Sequence, residues 1–134
     1  MQIIDTTTYF EEELVMNLRF NILNNYVDKF IVSEARFTHS GQEKNIKFNR
    51  KQFPKFEDKI IHIILDKEPE NIIKKKQLSN LEMRINSVIR IKSQRDFILK
   101  HLSSYSQEDY LIHSDNDEIP NLKNFDLKKI TKNM

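Results

Sequence analysis

Hydrophobic positions along the chain fall into two kinds of run. Strand-like runs are rich in β-branched and aromatic residues. They are "QIIDT" near the N-terminus, "KFIVSEA" (29–35), "KIIHIILD" (59–66) and "DYLIHS" (109–114). Helix-like runs repeat apolar residues at three- and four-residue spacing. In "YFEEELVMNLRFNILNNY" (9–26) that spacing puts Leu14, Leu18, Ile22 and Leu23 on one face. Glu11 to Glu13 load the first turn, where the helix dipole favours acids, and Asn24-Asn25 ends the run. A second run from Leu81 to about Leu102 offers Leu81, Ile85, Val88, Ile89, Phe97, Ile98 and Leu102 as core positions. Its stripe drifts near Ser93, which suggests two helices meeting there. Between strands two and three lie a polar loop, "RFTHSGQEKN", and a segment expected to hold a short helix stopped near Pro54.

The predicted order is β-α-β-loop-β-α-β. Strands alternating with helices imply an α/β fold, a mainly parallel sheet with flanking helices. In such sheets ligands bind beyond the carboxyl ends of the strands. Asp115, Asp117 and Glu118 follow the last strand, Glu34 ends the second, and Asp66 ends the third. The stretch "YLIHSDNDEIP" (110–120) therefore sets three like charges at the mouth of what reads as a buried strand. Such charges repel unless water or a cation separates them.

Composition narrows the function. With 134 residues, 38% hydrophobic and 31% charged, the chain fits one globular domain. A net charge of +2 gives no basic face for nucleic acid. The absence of cysteine removes disulfides and thiolate chemistry, and the single glycine, Gly41, excludes the phosphate-loop and dinucleotide fingerprints. No run is long enough to span a membrane and the N-terminus lacks signal-peptide features, so a cytoplasmic setting is expected.

Asp115-Asn116-Asp117 is a D-x-D pattern. In extended backbone its two carboxylates face one point, and paired hard oxygens suit Mg2+ or Mn2+ together with substrate phosphates. A solvated turn before Pro120 explains the same residues. Glu34 is either a ligand for a substrate hydroxyl or the wet end of its strand. Thr38, His39, Ser40 and Gly41 offer polar groups in what is otherwise a plain turn. Arg95 is placed near a helix start, where it clamps a phosphate or pairs with Asp96 or Glu82. His62 and His113 stand alone on strands, without the spacing of a zinc site.

Four segments in order, "ELVMNLRFNILNNYVDKFIVSEARFTHSGQEK", "FEDKIIHIILD", "SQRD" and "YLIHSDNDEIP", together resemble glycosyltransferase family 17. This is the family of the β-1,4-mannosyl-glycoprotein β-1,4-N-acetylglucosaminyltransferases. The resemblance implies a GT-A-like fold and inverting transfer from a UDP-sugar, in this family UDP-N-acetylglucosamine, to a glycan acceptor. It implies Mn2+ or Mg2+ on Asp115 and Asp117. It implies sugar-donor contacts from Glu34, Thr38, His39, Ser40, Gln94, Arg95, Asp115 and Glu118. Family members run well past the D-x-D, so this chain is expected to be a single donor-binding domain over 1–134. The acceptor half and general base would be absent, residues 121–134 a loose tail, and a second copy or completing chain a potential partner. The competing expectations are a non-catalytic remnant and a flavodoxin-like Mg2+-binding module.

Overall fold

The computed structural model describes residues 1–126. Four strands, β1 (Ile3–Tyr9), β2 (Lys29–Ala35), β3 (Ile60–Leu65) and β4 (Tyr110–His113), and two helices, α1 (Glu13–Leu23) and α2 (Asn80–His101), follow the expected order. All four strands are parallel, in the order β3-β2-β1-β4. The fold is α/β as the hydrophobic pattern predicts. The segment around Pro54 is two single 3-10 turns, Arg50–Gln52 and Glu57–Lys59, instead of one short helix. Of the tail, residues 127–134 lie outside the described residues, while Leu122 is buried against the core.

β1 and β2 form the buried centre. β1 runs on through its threonines to Tyr9, past the end suggested by "QIIDT". β4 is a half-exposed edge strand and not the buried one its apolar run suggests: Leu111 is exposed. The sheet carries a core on each face. On the α1 face, Phe20, Phe30, Phe48, Phe53 and Phe56 pack with Met16, Leu23 and Val32. Phe20 is the hub, with ring centroids of Phe30, Phe53 and Phe56 at 4.7, 5.0 and 5.7 Å. On the α2 face a smaller cluster joins Ile4, Ile31, Ile63 and Ile98.

Leu23 of α1 and Ile98 of α2 are core residues as expected, with Phe97 and Leu102 packed beside Ile98, but the rest of each buried face differs from the one the apolar residues suggest. α1 buries Met16, Arg19, Phe20 and Leu23, whereas Leu14 is 82% exposed and Leu18 and Ile22 also face out. α2 is one continuous helix through Ser93, whose hydroxyl donates to the Arg90 carbonyl three residues back (2.8 Å) and so sits in the helix interior. It buries Asn86, Arg90, Gln94 and Ile98, spaced by four, and exposes Leu81, Ile85 and Val88. Its start is set by a capping box: the Ser79 hydroxyl accepts from the Glu82 amide, and the Glu82 carboxylate accepts from the Ser79 amide.

The hub and the outer face of α1 differ in energetic weight. Phe20→Ala is expected to lower the unfolding free energy by about 3–5 kcal/mol. Leu18→Ala on the same helix should change it by roughly 0.5 kcal/mol or less. Urea unfolding of the two variants checks this, and equal effects would place the core on the wrong side of α1.

Candidate functional site

The connection after β1 leads to β2, and β4 is added on the opposite side of β1. The carboxyl ends of these strands form a topological switch point, where open α/β sheets bind ligands. A cavity of about 270 Å3 lies there. Its floor comes from Thr8 and Tyr9 at the end of β1 and from Phe10, one wall from Ile91, Gln94 and Arg95 of α2, and the opposite rim from Asp115, Asn116 and Asp117.

The acidic rim is a turn. The Glu118 amide donates to the Asp115 carbonyl (3.0 Å), so the D-x-D is folded back and not extended. Asp115 and Asp117 nonetheless both line the cavity. What holds the turn is Arg19, a fully buried side chain of α1. Its Nε and Nη2 donate to the two oxygens of the equally buried Asp5 on β1, at 2.8 and 2.7 Å. Its Nη1 reaches the carbonyls of Asp115 (2.9 Å), Glu118 (3.2 Å) and Asn116 (3.4 Å), and Nη2 also donates to Ser114 Oγ (2.8 Å). A guanidinium presents five N–H groups in a rigid fork. Here that fork fixes backbone carbonyls, which leaves the carboxylates of the turn to face outward. From the α1 side, Glu12 accepts from the Asn116 amide group (2.6 Å) and from its own loop amides at Phe10 and Glu11. Thr7 Oγ1 donates to the Ser114 carbonyl (2.9 Å), tying β1 to the turn as β4 ends.

Residues 38–42 form the second rim. The Gly41 amide donates to the Thr38 carbonyl, and the Thr38 and Ser40 hydroxyls bond each other at 2.9 Å. Gly41 has a φ of +90°, which side-chain-bearing residues rarely adopt. The turn is pinned to α2 by Arg90, whose Nη1 donates to the His39 carbonyl (2.9 Å) while its Nε donates to Glu68 (2.6 Å). His39 thereby reaches the cavity.

Of the residues expected at the site, His39, Gln94, Arg95, Asp115 and Asp117 are brought together at the cavity; Thr38, Ser40 and Glu118 are not among its walls. Arg95 lies well inside α2, not at a helix start, and pairs with Asp115 (3.1 Å) in place of Asp96 or Glu82. Asp66 pairs on the surface with Arg36. Glu34 is placed behind the cavity. Its carboxylate is fully buried and accepts from Lys44 Nζ (2.6 Å) and the amides of Lys47 (2.8 Å) and Phe48 (3.1 Å). His62 Nε2 stands 3.2 Å away, close enough to favour the anion though off the line of a well-formed hydrogen bond. Burial alone would raise the Glu34 carboxyl, but His62, Lys44 and the two amides outweigh it and hold it at about 2. Lys44 itself is buried to 6% exposure, lies over the Phe10 ring and lines the cavity.

Arg19, Asp5, Lys44 and Arg90 carry no site expectation from sequence, and Glu12, expected only as first-turn helix charge, is the residue preceding α1 and holds Asn116. Charged residues inside apolar runs, Asp5 in "QIIDT" and Arg19 in "LVMNLRFNIL", were the available signal.

Two consequences can be measured. Glu34→Gln should cost about 3–5 kcal/mol at pH 7, because Lys44 stays buried without its counter-charge. The Glu34 carboxyl is held at about 2 against an ordinary 4.5, so the anion's stabilisation is complete above about 4.5 and is lost as pH falls toward 2. Acid titration of stability should show that loss in the wild type and not in Glu34→Gln/Lys44→Met. At Gly41 an added Cβ would lie 2.7 Å from Arg90 Cζ as well as meeting an unfavourable φ. Gly41→Ala should therefore cost roughly 1–3 kcal/mol, and an Arg90→Ala background should remove part of that cost in a double-mutant cycle.

Among the described residues, no helix is long and apolar enough to cross a membrane. No curated protein and no solved structure gives a match to this chain. The sequence model of glycosyltransferase family 17 matches residues 1–134, the whole chain. With a parallel α/β sheet, a cavity at its switch point and that match over its full length, the chain belongs to glycosyltransferase family 17, whose reaction class joins a sugar donor to an acceptor.

Proposed function

We propose that the switch-point cavity is the sugar-donor site, taking a UDP-sugar, in this family UDP-N-acetylglucosamine, for inverting transfer to a glycan acceptor within a GT-A-like domain. The observation that carries the proposal is Gln94. The residue is only 7% exposed, yet its side-chain amide makes no hydrogen bond among the described residues and stays accessible from the cavity whose wall it forms. An accessible amide with no protein partner is free to pair with a ligand that enters the cavity. Gln94 offers both N–H donors and a carbonyl acceptor, which suits sugar hydroxyls or a uracil edge. Beside it, Arg95 supplies the planar cationic fork suited to phosphate.

The donor set across the cavity fits Mg2+ or Mn2+. Asp115 and Asp117 present carboxylate oxygens on one rim, and such ions are usually held by one or two carboxylates plus substrate phosphates. Among the described residues, no cluster of three or more His, Cys, Asp or Glu side chains offers a closed protein cage, in keeping with a site completed by its substrate. Such a cation, when bound, neutralises charge on the departing diphosphate. The protein's own contribution is positional. Arg19 fixes the turn that carries both acids, Arg90 fixes the turn that carries His39, and α2 sets Gln94 and Arg95 opposite.

Calorimetric titration of UDP tests the reading. Binding is expected with Mn2+, and is expected to fall by at least about tenfold with EDTA or in Asp115→Asn/Asp117→Asn. A folded wild-type protein that binds no UDP with Mn2+ present would refute the assignment.

A further inference from the structure

Lys44 and Arg95 line the cavity and Arg19 lies beneath its acidic rim, and the three are held very differently. Arg19 has every nitrogen engaged beneath the acidic turn, and Lys44 is fixed by buried Glu34. Arg95 makes a single contact, Nη2 to Asp115 Oδ1 at 3.1 Å, with both side chains about half exposed (50% and 48%). Asp117, two residues on, has no ion pair or hydrogen bond to its carboxylate among the described residues, and Glu12 adds a further negative charge to the same wall. Among the described residues, the acids that an anionic ligand meets at this rim have Arg95 as their loosely held counter-charge. Exposed pairs of this kind are weak, so little is lost when one is broken.

We infer that Arg95 is an exchangeable counterion. In the empty site it neutralises Asp115. When a divalent cation takes Asp115 and Asp117, Arg95 is released and turns its guanidinium to the phosphates of the nucleotide. One side chain thus opposes metal binding in the absence of nucleotide and supports nucleotide binding in the presence of metal, which couples the two ligands. This rests on the sugar-donor reading of the cavity and adds its order of loading.

The test compares wild type, Arg95→Met and Lys92→Met. Lys92 is one turn away on α2, pairs with Asp96 and does not line the cavity, so it controls for the loss of one positive charge. Mn2+ binding without nucleotide is read from the free-ion paramagnetic resonance signal, and UDP binding at saturating Mn2+ by calorimetry. Arg95→Met should bind Mn2+ alone about two- to fivefold more tightly, the size of a surface ion pair. It should bind UDP with Mn2+ about tenfold or more weakly, the size of a charged hydrogen bond. Lys92→Met should do neither. If wild type binds both ligands but Arg95→Met leaves Mn2+ affinity unchanged or lower, leaves UDP affinity intact, or is matched by Lys92→Met, the exchange is overturned and the sugar-donor reading stands. If wild type binds neither ligand, the sugar-donor reading fails and takes this inference with it.

Discussion

The arrangement of the site depends on a guanidinium taken wholly out of water. Arg19 and Asp5 are 0% and 1% exposed, and desolvating such a pair costs several kcal/mol per ion before any attraction is counted. A hydrophobic pair of similar volume would serve stability equally well. What it could not do is reach three carbonyls and a hydroxyl of the 114–118 turn. The interaction ties α1, β1 and the loop after β4 to one point, although they come from opposite ends of the chain. It also explains how three acids can be crowded on one turn. The positive charge lies beneath the backbone, and the carboxylates spread outward from it.

The same device recurs on the other rims. Arg90 holds the His39 turn against α2, and Glu34 holds Lys44 and the amides of residues 47 and 48. Asn86 satisfies both the amide and the carbonyl of Ile73 through its side chain, at 2.8 and 3.0 Å. In each case a buried polar group from a regular element satisfies irregular backbone, which has no ladder of its own and would otherwise be left unpaired. The interior of this small domain is polar in the places where it must support loops.

That is why the sequence was legible for the sheet and less so for the helices. "KFIVSEA" is β2 residue for residue, because a central parallel strand is buried on both faces and reads as a continuous apolar run. The D-x-D was likewise legible from its position after the last strand, whereas Gln94 was implied by the family resemblance alone. Helix faces were read from hydrophobic periodicity, and that rule assumes the apolar side faces in. α2 turns Asn86, Arg90 and Gln94 inward because they carry loop and cavity contacts, and leaves Leu81, Ile85 and Val88 outside. α1 turns Arg19 inward for the same reason. Glu34 failed differently. An acid ending an apolar strand needs a partner, but sequence does not say whether that partner is a ligand or, as here, a lysine ten residues on.

Set against this polar interior, Gln94 is used differently from the rest of its helical row. Asn86, Arg90, Arg19, Asp5 and Glu34 are all buried and all bonded to the protein, each holding a segment in place. Gln94 is 7% exposed, continues the spacing of Asn86 and Arg90 along α2, and bonds nothing among the described residues. The other polar members of that helical row commit their side chains to the protein, whereas the Gln94 amide stays accessible from the cavity and keeps its capacity to pair. Its partner can therefore arrive from outside, through the cavity that Arg95, Asp115 and Asp117 also line.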